Sequence, residues 1–178
     1  MAGYGTTARL FHWIMAIMIL STIPVGAIMV REGLTRSTQD MLFIFHKNIG
    51  VILLVLILLR LIWRLLNPPP PLPASVPRLQ ARVAHLVHLG LYGMLLFMAT
   101  TGFVRVSAGG FPIEMLDWMG VPPLPRNDAL ADTASTLHFY GKFVLVALVL
   151  MHVMGAAFHG IVKRDGVFTR MWPPLRPR

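Results

Sequence analysis

The chain contains no cysteine among its 178 residues. That absence excludes structural disulfides, thiolate metal sites and covalently attached c-type haem, which needs a Cys-x-x-Cys-His run. Charge is also scarce: 13% of residues are charged and only 7 are acidic, while 56% are hydrophobic. Water-soluble domains carry about twice that charged fraction. A cleavable leader is not expected either. The first apolar run is too long for a leader's hydrophobic region, contains His12, and is preceded only by Arg9.

Apolar length is what the chain has in quantity. Four stretches, roughly Phe11–Val30, Met41–Leu66, Val83–Val104 and Leu137–Val162, are long enough to cross a membrane. A hydrocarbon core of ~30 Å takes about 20 helical residues. A segment in lipid must satisfy its own backbone polar groups. The expected fold is therefore an all-α integral membrane protein, a four-transmembrane-helix bundle, with residues 1–178 forming a single domain.

The formal net charge is +9. In such a chain this reads as topology and not as affinity for nucleic acid. Arg60, Arg64, Arg78 and Arg82 gather around the second connection, and Lys163, Arg164, Arg170, Arg176 and Arg178 at the C-terminus, with Arg9 joining them if four spans alternate. Glu32, Asp40, Glu114, Asp117, Asp128 and Asp132 fall on the opposite side. The excess of basic residues assigns the first side, and with it both termini, to the cytoplasm.

The connections have distinct characters. Pro68–Pro71, Pro73 and Pro77 form a stiff extended linker, or alternatively a ligand for a proline-recognition module. The segment from Ser107 to Asp132 is the longest, and Phe111, Met115, Leu116 and Trp118 within it suit an interfacial amphipathic helix or lid.

Four histidines, His12, His46, His138 and His152, lie inside the apolar stretches. An imidazole facing lipid is expensive, so intramembrane histidines turn inward. His46 and His138 each lie six residues past an outer acidic residue, Asp40 and Asp132, and so at similar depth. His138 and His152 are ~21 Å apart on nearly one face of a helix. His12 and His152 form an inner pair, matched less closely, because His12 lies nearer the surface unless its helix starts several residues before Arg9. A single such histidine is as readily a hydrogen-bonding interface residue. Two facing pairs at separate depths instead suggest two stacked haems, each iron held by two imidazoles. Iron so saturated shuttles electrons and does not activate oxygen. Ala16, Gly50, Gly141 and Gly155 follow the histidines by three or four residues and leave room for a flat ring, as Gly90, Gly93 and Gly102 of the third stretch also do. A bare zinc ion would want its ligands at one depth.

His85, His88 and His159 lie toward the inner side. Each reads either as a solvated helix-end residue or, with Arg78 and Arg82, as part of a polar pocket able to bond a quinone carbonyl and deliver protons. Lys47 and Lys142 lie near the outer histidines. They read as snorkelling cations, as partners of haem propionates, or as a funnel for a small anion.

Taken in order, R-L-F-H-W at Arg9–Trp13, H-K-N-I-G at His46–Gly50, A-H-L-V-H-L-G-L-Y at Ala84–Tyr92, L-H-F-Y-G-K at Leu137–Lys142, L-M-H-V-M-G-A-A-F-H at Leu150–His159 and the basic C-terminal R-M-W-P cover nearly the whole chain. In these motifs the sequence resembles the bacterial cytochrome b561 family, small four-helix di-haem proteins of the inner membrane. The resemblance implies two non-covalent b haems with His12, His46, His138 and His152 as axial ligands, and ubiquinone as electron acceptor. It implies superoxide oxidation at the periplasmic side as the activity, with His88, His159 and a basic residue before the third helix, Arg78 or Arg82, at the quinone. The alternatives are a cytochrome b anchor taking electrons from a separate dehydrogenase or hydrogenase, and a haem-free metal-binding transporter.

Overall fold

A computed structural model describes residues 3–173 and 175. Arg176 and Arg178 of the C-terminal basic group lie outside the described residues. Helix α1 spans Thr6–Ile28, α2 Arg36–Leu66, α3 Arg78–Ala108, α4 Glu114–Trp118 and α5 Asp128–Ala157. Helix α5 runs directly into a π-helical turn, Phe158–Lys163, and a single 3-10 turn, Phe168–Arg170, follows. Four of these helices are long and apolar enough to cross a membrane. The chain is thus an all-α membrane protein with four spans, and its two terminal segments share one side.

Local chemistry sets the boundaries. Thr35 Oγ1 accepts from the Thr38 N–H at 3.3 Å and opens α2, and Asn127 Oδ1 accepts from the Leu130 N–H at 3.0 Å and opens α5. The proline run after Leu66 has no N–H to continue α2, and Pro68–Pro73 carries neither helix nor strand. Helices α2 and α3, of 31 residues each, reach ~46 Å and overshoot the hydrocarbon core at both ends. The hydropathy-based limits are correspondingly short. Helix α3 begins at Arg78, not Val83, and ends at Ala108, not Val104. It takes in Arg78, Arg82 and Arg105. Helix α1 starts at Thr6, three residues before Arg9, which sinks His12 more than a turn into the helix.

Large apolar side chains cover the outside of the bundle, among them Ile17, Leu65, Leu86 and Val153. This is the surface that lipid replaces water on. The buried interior holds Met15, Val51, Ile57, Val87, Met98 and Leu145. Helix α3 packs most extensively against α5, α1 against α2, and α2 against α3. The α3–α5 approach is close because Gly141 has no side chain: a Cβ there would stand 2.7 Å from Met98 Sδ. Helix α5 therefore leans on α3 and faces α1 and α2 across a seam.

The terminal segments are tied together on the side they share. Arg9 is 4% exposed, and its guanidinium donates to the carbonyls of Tyr4 (3.0 Å), Pro173 (2.8 Å) and Thr169 (3.4 Å). Trp13 Nε1 donates to the Met171 carbonyl at 2.9 Å. Arg170 is also buried, donates to the Pro70 carbonyl and lies over the Tyr4 ring. Two of the charges counted toward topology thus fasten both termini to the proline linker.

Candidate functional site

Helix α5 presents an imidazole to each of two partners across the seam. At the outer level, His138 faces His46 of α2, with ring centres 6.3 Å apart and planes at 86°. At the inner level, His152 faces His12 of α1, with centres 5.9 Å apart and planes at 70°. A metal–imidazole bond of about 2 Å puts each ring centre about 3 Å from the metal, so two imidazoles trans on one metal have centres about 6 Å apart. Both pairs meet that spacing, at levels ~21 Å apart along α5.

The outer pair is also oriented for ligation. His46 Nδ1 donates to the Thr22 carbonyl at 3.2 Å. His138 Nδ1 donates to the Met98 carbonyl at 3.0 Å and lies 3.2 Å from Thr101 Oγ1, whose own proton goes to the Phe97 carbonyl. A carbonyl can only accept, so both rings carry their proton on Nδ1 and leave Nε2 as the free lone pair. Fixing the far nitrogen in this way is how proteins orient ligating histidines. Each ring is seated against a glycine: a Cβ at Gly26 would lie 2.8 Å from His46 Cε1, and one at Gly102 3.1 Å from His138 Cε1. Between the rings opens a cavity, partly continuous with the surroundings, whose walls include Met98, Gly50, Gly102 and Ile113. No cluster of three or more His, Cys, Asp or Glu able to hold a bare metal ion occurs among the described residues.

At the inner level His88 of α3 stands 5.1 Å from His152, ring centre to ring centre. Helix α3 packs directly on α5, so His88 flanks His152 while His12 faces it across the seam. The cations beside this group come from α2. Arg60 Nε donates to Tyr92 Oη at 3.0 Å and Arg64 lies over the same ring. Arg78 and Arg82, by contrast, are exposed on the opening turns of α3, as is His85 on the next turn. They do not precede the helix, and no described contact brings either arginine to His88. His159 lies on the π-helical turn, where its Nδ1 meets Asp165 Oδ2 at 2.6 Å, both side chains 14% exposed. Asp165 also accepts from the Val167 N–H.

The two outer lysines separate. Lys47 Nζ donates to Glu114 Oε1 at 2.7 Å and to the Pro112 carbonyl at 2.6 Å. Beside it, Asn48 donates to Glu114 Oε2 and accepts from the Met115 N–H. The residues after His46 thus clamp α4 over the outer level, and the Lys47 charge is matched by a carboxylate. Lys142 is exposed, with its ammonium 3.8 Å from the centre of the Phe139 ring, on the lipid-facing flank of α5. The cation that lines the outer cavity without a carboxylate or carbonyl partner among the described residues is Arg105.

The profile of the prokaryotic cytochrome b561 family matches residues 3–174. The chain belongs to that family. Among its relatives, cytochrome b561 homolog 2 of Escherichia coli K12 is 34% identical over 176 residues, covering 94% of this chain and 90% of the relative. The probable superoxide oxidase CybB of Yersinia pestis is 24% identical over 165 residues, 93% of each chain. Cytochrome b561 homolog 1 of Escherichia coli K12 is 23% identical over 175 residues, 97% of this chain and 98% of the relative. Membership makes the chain a multi-pass membrane electron-transfer protein and implies b-type haem. In this cytochrome b561 the facing imidazoles, the free Nε2 atoms and the glycine seats fit that group.

Some partners escaped the sequence reading. Arg105 follows directly on a span drawn to end at Val104, and a charge abutting an apolar run was the available signal. Arg60 and Arg64 read in the sequence only as topology. Nothing local marks Asp165 as the partner of His159, or the carbonyls of Thr22 and Met98 as partners of His46 and His138.

Proposed function

We propose that this cytochrome b561 holds two b haems, with His46 and His138 as axial ligands at the outer level and His12 and His152 at the inner, and that it passes electrons from superoxide to quinone. The observation that carries this reading is the two imidazole couples that α5 forms with α2 and α1, their ring centres 6.3 and 5.9 Å apart, with the outer Nδ1 protons held by backbone carbonyls. Haem, when bound, supplies a one-electron iron couple. The four imidazoles would hold the iron and leave it no site for oxygen, and the backbone carbonyls of Thr22 and Met98 orient the outer two. On the outer, periplasmic side two superoxide anions each lose one electron and leave as dioxygen. On the inner, cytoplasmic side one quinone gains two electrons and two protons to become quinol. The basic inner side supports that orientation, both termini included. His159, held by Asp165, is positioned to deliver a proton, and His88 is a second imidazole beside the inner couple.

A second reading keeps the haems and takes electrons from a docked redox protein. It is favoured by one feature, Phe111 and Trp118 standing 66% and 87% exposed around α4. One experiment separates the two. The purified oxidised protein is exposed to a superoxide source, with and without ubiquinone, and the haem bands are followed. Reduction by superoxide alone, reversed by quinone, supports the first reading; bands that stay oxidised until a protein partner is added support the second, and a colourless protein defeats both.

A further inference from the structure

The outer cavity has apolar walls, including Met29, Phe43, Val51 and Phe103, and two cations, Lys47 and Arg105. Lys47 is matched by Glu114. Arg105 is half-buried and has neither an ion pair nor a hydrogen bond among the described residues. The other carboxylates of this side do not line the cavity: Asp40 pairs with Arg36 and Asp128 with Arg126, while Glu32, Asp117 and Asp132 are exposed. An uncompensated cation beside apolar walls at membrane depth is costly and calls for an anion. Arg105 also sits at a telling height. It is three residues beyond Gly102, the seat of the His138 ring, and so ~4.5 Å farther toward the outer surface. The cavity therefore suits a ligand with an apolar body at the level of the imidazoles and an anionic edge turned outward.

The geometry points to Arg105 as the carboxylate receptor of the outer site, pairing with a propionate of the macrocycle held by His46 and His138. This rests on the reading of those two histidines as haem ligands. A guanidinium offers several donors in a planar fork that suits a carboxylate, and it keeps its charge. The pairing gives the site a fixed ring orientation, and it leaves Lys47 free to hold the lid.

The test uses the purified haem-loaded protein and its Arg105→Gln and Arg105→Lys variants. Haem content, transfer of haem to excess apomyoglobin and the midpoint potential of each haem are measured. Arg105→Gln is expected to release one haem about tenfold faster or more, the worth of one charge-assisted hydrogen bond. It is also expected to lower the potential of that same haem, because a nearby positive charge favours the reduced iron. Arg105→Lys restores the potential more fully than the retention. Unchanged retention and potentials in Arg105→Gln would overturn the assignment. So would a variant defective only in reduction by superoxide, in a salt-dependent manner, since Arg105 would then receive a free small anion. If the wild-type protein carries no haem in the outer site, with His138→Ala leaving haem content unchanged, the underlying ligand reading has failed before any arginine variant is compared.

Discussion

Replacing Gly26 by alanine separates the fold from the outer site. In an exposed helix interior the change stabilises by about 0.5–1 kcal/mol, because glycine loses more backbone freedom. At Gly26 the added Cβ would stand 2.8 Å from His46 Cε1 and 3.2 Å from Nδ1. Carbon atoms in contact prefer about 3.5–4.0 Å, so the ring must retreat by about 0.7–1.2 Å. The bond from Nδ1 to the Thr22 carbonyl is already 3.2 Å long and does not survive that movement. Ligand positions at a metal tolerate about 0.2 Å. The variant should therefore fold with helix content near wild type, yet lose one of two haems or show it with altered ligation. Circular dichroism, haem-to-protein ratio and low-temperature electron paramagnetic resonance measure these. A Gly26→Ala protein with both haems and unchanged resonances would refute the claim that the α1 backbone fixes His46.

Three further outcomes follow from other contacts. Burial works against the charge of Glu114, but hydrogen bonds from Lys47 and Asn48 outweigh it and hold its carboxyl below the usual range. The α4 clamp is therefore fully present above that range and is lost as pH falls through the lowered value, and Glu114→Gln should release it at neutral pH; amide protection of Leu116–Gly120, corrected for intrinsic exchange, reports both. Arg9→Ala removes three hydrogen bonds from a buried guanidinium and should cost about 2–4 kcal/mol in thermal or denaturant unfolding, with Arg9→Lys a poor rescue because one ammonium cannot span the three carbonyls. Asp165→Asn should slow quinone reduction while leaving haem reduction by superoxide unchanged, and equal slowing of both would remove His159 and Asp165 from the quinone side.

The four spans were legible because lipid imposes a crude rule, apolar length, that needs no partner to be read. Their ends were not, because polar residues such as Arg78, Arg105 and Asp128 extend the helices beyond the apolar core and hydropathy stops counting there. The pairing of His46 with His138 was legible from equal offsets to Asp40 and Asp132. That of His12 with His152 depended on where α1 begins, which no N-capping side chain announces: Gly5 occupies that position.

By itself, then, the sequence determined the membrane class, the number of spans and the imidazoles at two depths, since periodicity and burial cost act within a single helix. Only the tertiary structure decided which charges are spent and which are free. Lys47 and Arg105 are both cations near the outer level, but Lys47 meets Glu114 across 67 residues of chain whereas Arg105 faces the cavity with no such partner among the described residues. Arg9 and Arg170, equally unremarkable in the sequence, became the fastening of the termini. An ion pair or a carbonyl contact is made between elements distant in sequence, and only their packing brings the two atoms within bonding distance.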